Sequence, residues 1–242
     1  MSSSGELFYY PELPTSWDSV VLPVDKTKGL SSFDVIRELR KITGQRKIGH
    51  AGTLDPMATG LLICLFGAST KRMREFMEME KSYDGLIRMG QTTASYDAET
   101  PVDSSTNIDG LTTEKIRAAS TKFVGSLRQT TPIYSAVRHH GERLYKKPRR
   151  GEQVTTPPRD VSVYSLDLGD LEGADVPFRM TCSRGTYVRS IAHELGQELG
   201  VGAHLIALRR TGIGNIGVDR AWSLENLKTR VPIRKEQPLP KS

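Results

Sequence analysis

The chain has 242 residues, 37% hydrophobic and 26% charged, with a formal net charge of +6. It is long enough to bury a sizeable core as one large domain; no apolar run approaches the roughly 18 residues needed to span a bilayer, and the opening Met1-Ser2-Ser3-Ser4-Gly5-Glu6 lacks the regions of a signal peptide, so a cytoplasmic protein is expected. Two cysteines, Cys64 in an apolar run and Cys182 closing an alternating segment, argue against a disulfide framework or a thiolate metal site and read as packing residues.

Residues 1–18 mix Ser, Pro, Glu and aromatics without a period and read as a loosely ordered extension. Val20 to Val24 is a strand; a helix capped by Ser31 or Ser32 follows, with Val35, Ile36, Leu39 and Ile42 as its buried stripe and Gly44 as its stop. A glycine-rich loop from Lys47 to Gly60 leads into the apolar strand Leu61 to Phe66, and a helix over about 69–79 carries Met73, Phe76 and Met77 on one face as core. Lys81 to Met89 alternates as a strand with Tyr83, Ile87 and Met89 on one side, and residues 90–110 are polar and turn-rich. A helix over about 113–124 stops at Gly125, Ile133 to Val137 is strand-like, and the basic stretch over about 138–158 has no period. Val161 to Leu168 and Val176 to Cys182 alternate as strands, Gly185 introduces a helix to Leu199, and short helices are expected at Ala203 to Arg209 and Leu224 to Leu227. Irregular mixing of strands and helices favours an α+β fold with a mixed sheet.

Asp55 is the centre of the Lys47 to Gly60 loop. Pro56 biases it towards extended backbone, and Gly49, Gly52 and Gly60 permit tight turns. A carboxylate held beside a buried strand can serve covalent or acid-base chemistry; on loop composition alone, a surface turn in which Asp55 bonds its own backbone is favoured. Basic residues cluster at Arg37, Arg40, Lys41, Arg46 and Lys47, at Lys71, Arg72 and Arg74, and over 138–150. Together they could form a face for a polyanion, although each alone reads as a solvated surface.

Two familiar patterns fail. Gly212-Ile213-Gly214-Asn215-Ile216-Gly217 has dinucleotide-binding spacing but is expected to follow a helix with too little chain beyond it, and His193-Glu194 lacks a second histidine at the position of Gln197.

Five segments share a pattern: Gly49-His50-Ala51-Gly52-Thr53-Leu54-Asp55-Pro56, Lys81-Ser82-Tyr83, Pro132-Ile133-Tyr134-Ser135-Ala136, Ser183-Arg184-Gly185-Thr186-Tyr187-Val188-Arg189-Ser190, and Ala207-Leu208-Arg209-Arg210-Thr211. With Val24-Asp25-Lys26-Thr27-Lys28-Gly29 they resemble, from about residue 20 to 217, the TruB family of tRNA pseudouridine-55 synthases. The resemblance implies a pseudouridine synthase fold: a mixed, largely antiparallel sheet flanked by helices with a basic insertion at about 138–158, a catalytic domain over 19–230 and a tail over 231–242. It implies an isomerase that turns the T-loop uridine 55 of tRNA into pseudouridine by base flipping, and that also assists tRNA folding. Asp55 would be the nucleophile, Tyr83 would stack on the flipped base, and Arg189 would pair with the nucleophile, holding it ionised. His50 would enter the T loop to hold the base out. Lys71 and Lys81 would contact phosphate or base edges, Leu208 would wall the uracil pocket, and Tyr187 would also bind substrate. Arg138, Arg143, Lys146, Lys147, Arg149 and Arg150 would meet the RNA backbone of the T-arm. No cofactor or metal, no membrane, and no obligatory protein partner or guide RNA is expected. The chain departs from the family pattern at Thr27, Ile133 and Arg138, none of them a proposed catalytic group, and only about 25 residues follow Gly217, too few for a full additional RNA-binding domain.

Overall fold

Leu61 to Phe66 are all fully buried, as expected of a strand covered on both faces. The computed structural model describes residues 6–130, 132, 138–139, 142–143 and 158–231. In chain order the elements are β1 (Glu6–Leu7), β2 (Ser19–Lys26), α1 (Ser32–Thr43), β3 (Ile48–Ala51), β4 (Thr59–Gly67), a 3-10 turn (Ala68–Arg72), α2 (Met73–Glu78), β5 (Lys81–Met89), β6 (Gln91–Thr93) and β7 (Val102–Ser105). There follow α3 (Thr113–Ser120), a 3-10 turn (Thr121–Phe123), β8 (Gly125–Gln129), β9 (Arg138–His139), β10 (Glu142–Arg143), β11 (Arg159–Leu168), β12 (Asp175–Cys182), α4 (Val188–Glu198), β13 (Ala203–Ile213), β14 (Ile216–Gly217), β15 (Trp222–Ser223) and α5 (Leu224–Arg230). The expected α+β class is found: a mixed, mostly antiparallel sheet with flanking helices. The chain forms two units, one of residues 1–79 and 210–242, the other of residues 80–209.

The first unit is built on β2 and β4, paired antiparallel from Ser19↔Gly67 to Lys26↔Gly60. Alternate residues go to opposite faces of the pair. Val20, Leu22, Val24, Leu62, Cys64 and Phe66 join Val35, Ile36 and Leu39 of α1 and Leu224 and Leu227 of α5 in one core cluster. Val21, Leu61, Ile63 and Leu65 join Phe76, Ile213 and Ile216 in the other. Ser31 caps α1 in a box with Asp34, and Gly44 closes it in a left-handed conformation, φ 70°. The stretch expected as an extension supplies β1, parallel to β2, and Phe8, Leu13 and Trp17 lie against the first core. Ile48 to Ala51 of the expected loop are in fact β3, antiparallel to β4 with His50 opposite Cys64. Met77 is 43% exposed, against the expectation that it is core, because α2 is a short helix behind a 3-10 turn and buries only Phe76 fully.

The second unit places β5, β12, β11 and β8 side by side, each neighbouring pair antiparallel, with α3, α4 and the β6–β7 pair alongside in sequence. Tyr83, Ile87 and Met89 of β5 are buried, as their alternation requires. Residues 90–110 hold more order than their polarity suggests, since Thr93, Ser95 and Asp97 are buried. The Ile133 to Val137 segment lies outside the described residues, as does the basic stretch apart from the β9–β10 ladder.

Ala203 to Arg209, expected as a short helix, belongs to strand β13. Its residues are good helix formers, but sheet pairing overrides so weak a preference. The Gly212 to Gly217 pattern therefore begins inside a strand, and it remains no dinucleotide loop: Gly212↔Gly217 and Ile213↔Ile216 close a hairpin back onto β13, and no helix opens there.

Candidate active site

Asp55 is half-buried in the connection between β3 and β4. The Ala58 N–H donates to the Asp55 carbonyl at 3.0 Å, closing a turn with Pro56 at its second position. Every limb of this loop is tied down. The Ser32 hydroxyl, at the start of α1, accepts from the Leu54 N–H at 2.8 Å and donates to the Leu54 carbonyl at 3.1 Å. On the other side of Asp55, the Pro56 carbonyl accepts from the Gly29 N–H at 2.8 Å and from the Lys26 ammonium at 3.3 Å. Lys26 is wholly buried and also donates to the Leu30 carbonyl at 2.6 Å. Arg210, 1% exposed, donates to the carbonyls of Gly52 and Leu61. Burial, and secondarily the Arg210 charge, pull the His50 pKa below its ordinary 6.5, so this imidazole is neutral at neutral pH. Lys71 is exposed in the 3-10 turn; its neighbours Arg72 and Arg74 pair with Glu75 and Glu78.

In the second unit Lys81 and Tyr83 stand on β5 opposite Cys182 and Met180, and both are buried. Leu208 is half-buried on β13, on a strand instead of the helix expected for it. Arg189 sits in the first turn of α4, 4% exposed. Its guanidinium donates to the Ser95 carbonyl at 3.1 Å and lies 3.7 Å from the Asp97 carboxylate. Asp97 is itself held by the Ser95 hydroxyl at 2.5 Å and the Glu99 N–H at 3.0 Å. Tyr187, directly before the helix, is gripped through its backbone by the buried Gln129 amide, which accepts its N–H at 2.7 Å and donates to its carbonyl at 3.0 Å. The Arg159 and Arg189 guanidiniums lie 5.2 and 5.6 Å from its ring centre. His193, one turn beyond Arg189, stacks on Tyr96 at 3.8 Å, and Tyr96 has a left-handed φ of 64° that few residues other than glycine adopt.

Expected site residues thus fall in both units: His50, Asp55 and Lys71 in the first, Lys81, Tyr83, Tyr187, Arg189 and Leu208 in the second. The second unit brings Arg189 and Tyr187 together. Of Arg138 and Arg143 only the backbone is described, and Lys146, Lys147, Arg149 and Arg150 lie outside the described residues. Sequence reasoning gave no site role to Asp97 or Gln129, took Ser32 only as a candidate helix cap and Arg210 only as part of a motif; for Asp97 the available signal was a Ser-x-Asp pair in a stretch otherwise read as turns. Among the described residues no cluster of three or more His, Cys, Asp or Glu could hold a metal ion.

Residues 40–188 match the TruB family pseudouridylate synthase N-terminal domain, and residues 189–241 match the tRNA pseudouridylate synthase B C-terminal domain. The chain belongs to the TruB family. That places it among the isomerases. The tRNA pseudouridine synthase B of Opitutus terrae is 44% identical over 86% of each chain, and that of Francisella philomiragia is 41% identical over 86% of this chain and 69% of its own. Among solved structures, a chain of the archaeal box H/ACA sRNP Nop10–Cbf5 complex superposes with a TM-score of 0.63 at 27% identity. A chain of an H/ACA RNP bound to a substrate RNA containing 2'-deoxyuridine does so at 0.62 and 28%. This TruB family chain spans about half the length of either solved chain, 52% and 51%, with 86% and 85% of itself.

Proposed function

We propose that this chain is a tRNA pseudouridine synthase that isomerises the T-loop uridine at position 55, with Asp55 as nucleophile. The reaction breaks the bond from uracil N1 to ribose C1', turns the ring and joins C5 to C1'; the C5 proton leaves to solvent and N1 gains one. A carboxylate can add to the ring or help form and quench the sugar intermediate. One observation carries the assignment: a half-buried Asp55 whose loop is tied at Leu54 and Pro56, on either side of it, so that the carboxylate meets a flipped base without reorganisation. Tyr83 stacks on the base, and Arg189 serves as the cation of the reaction. A neutral His50 enters the space the base leaves, offsetting the few kcal/mol that flipping costs. The basic insertion grips the T-arm, and opening the arm assists tRNA folding. The domain is taken as 19–230, between an extension and a tail.

Tritium release from uridine labelled at C5 in an unmodified tRNA transcript tests this. The purified chain releases tritium mapped to the T loop, and Asp55→Asn releases none while binding RNA nearly as well. Normal turnover by Asp55→Asn would remove Asp55 as nucleophile. The solved particles named above suggest a second reading, a subunit that needs a guide RNA and partners; turnover by the chain alone on tRNA excludes that requirement.

A further inference from the structure

Arg210 is 1% exposed, and among the described residues no carboxylate pairs with it. A buried guanidinium needs acceptors for its donors. Its acceptors are two backbone carbonyls: Nε donates to Leu61 at 2.7 Å and Nη2 to Gly52 at 3.1 Å. These carbonyls stand at opposite ends of the loop that holds Asp55. Gly52 directly follows β3, whose last residue Ala51 pairs with Ile63, and Leu61 opens the buried run of β4. The outgoing limb is also supported by β2 through Lys26↔Gly60. The root of the guanidinium is equally fixed, because Gly60, at φ 99°, lies flat against the Arg210 backbone. A Cβ there would come within 2.3 Å of the Arg210 carbonyl oxygen.

We propose that Arg210 is a positioning residue that sets where Asp55 stands by clipping both ends of its loop with one rigid fork. This rests on the reading of Asp55 as nucleophile. The planar, five-donor head suits this role, because a lysine ammonium is a single point that cannot hold two carbonyls in a fixed mutual geometry, and an apolar side chain holds neither. The clip acts on the chemical step and not on RNA affinity, because a buried group contacts no phosphate.

The test uses the full chain as Arg210→Lys and Arg210→Met, with Asp55→Asn beside them. Folding is followed by circular dichroism, affinity by titration with a T-arm stem-loop RNA, and chemistry by single-turnover tritium release. Misplacing a catalytic group by about 1 Å costs about a hundredfold in rate, so Arg210→Met should lose about that much turnover with affinity within about threefold, and Arg210→Lys should fall between. A folded Arg210→Met variant that turns over within about threefold of the parent would overturn the proposal. So would a parallel loss of affinity and turnover, and so would failure of both variants to fold, which would make Arg210 a residue of the fold and not of the loop. Full turnover by Asp55→Asn would instead refute the nucleophile assignment on which the proposal rests.

Discussion

His50 shows how burial sets chemistry one side chain at a time. Burial and the Arg210 charge depress its pKa, and burial, partly opposed by Asp103, depresses that of His193. Each folded pKa lies below the ordinary 6.5, so the unfolded chain takes up protons first as pH falls. The stabilisation is complete above 6.5 and is lost as pH falls through the folded values. Thermal melts should therefore show a midpoint that declines from about pH 6.5 downward, and His50→Asn with His193→Asn should flatten that decline. An unchanged acid limb in the double variant would place the loss on carboxylates. At this scale the family motifs around Asp55 and Arg189 were legible, since they lie in short contiguous stretches. The groups that tether the Asp55 loop were not: Ser32 reaches Leu54 across 22 residues, Lys26 reaches Pro56 across 30, and Arg210 reaches Gly52 across 158. Each bonds a backbone carbonyl or N–H, which leaves no trace in the partner's residue type.

Helix α1 links sequence signals to the loop. Its capping box puts the Ser31 hydroxyl on the Asp34 N–H and the Asp34 carboxylate on the Ser31 N–H. The next residue, Ser32, is the one that grips Leu54. Ser31→Ala should cost about 1 kcal/mol of stability, read as a lower denaturation midpoint with the m-value unchanged. A change under about 0.3 kcal/mol would mean that the Asp34 contact suffices. This cap was legible because its two partners are three residues apart. Strand β13 was not, because Ala203 to Arg209 carries helix-forming residues and becomes a strand only through its neighbours. Strand β3 was hidden for a related reason: Gly49 and Gly52 mark a loop on composition, and the apolar strand beside it recruits Ile48 to Ala51. Gln129 and Asp97 likewise acquire their places only when β8, α4 and the β6–β7 region come together.

Across the whole molecule the basic clusters overstate the free basic surface, although the net charge of +6 is unchanged by ion pairing. Arg37 pairs with Asp34, Lys41 with Glu38, Arg72 with Glu75 and Arg74 with Glu78. These exposed pairs add little stability, and they break at little cost if phosphates take their place. RNA affinity should still weaken with salt through counterion release, by about tenfold or more between about 50 and about 200 mM. Flat affinity over that range would remove the basic face from the binding scheme.

The apolar run at Leu61 to Phe66, the stripe and caps of α1, and the alternation of β5, β11 and β12 are local patterns, and each forms the element it predicts. The motifs around Asp55, Tyr83 and Arg189 are local too, and they were enough to reach the family. The tethers of the Asp55 loop, the Arg189–Asp97 pair and the strand character of β13 were decided only in three dimensions. They depend on which distant backbone a side chain meets, and a residue's own identity carries no record of that meeting.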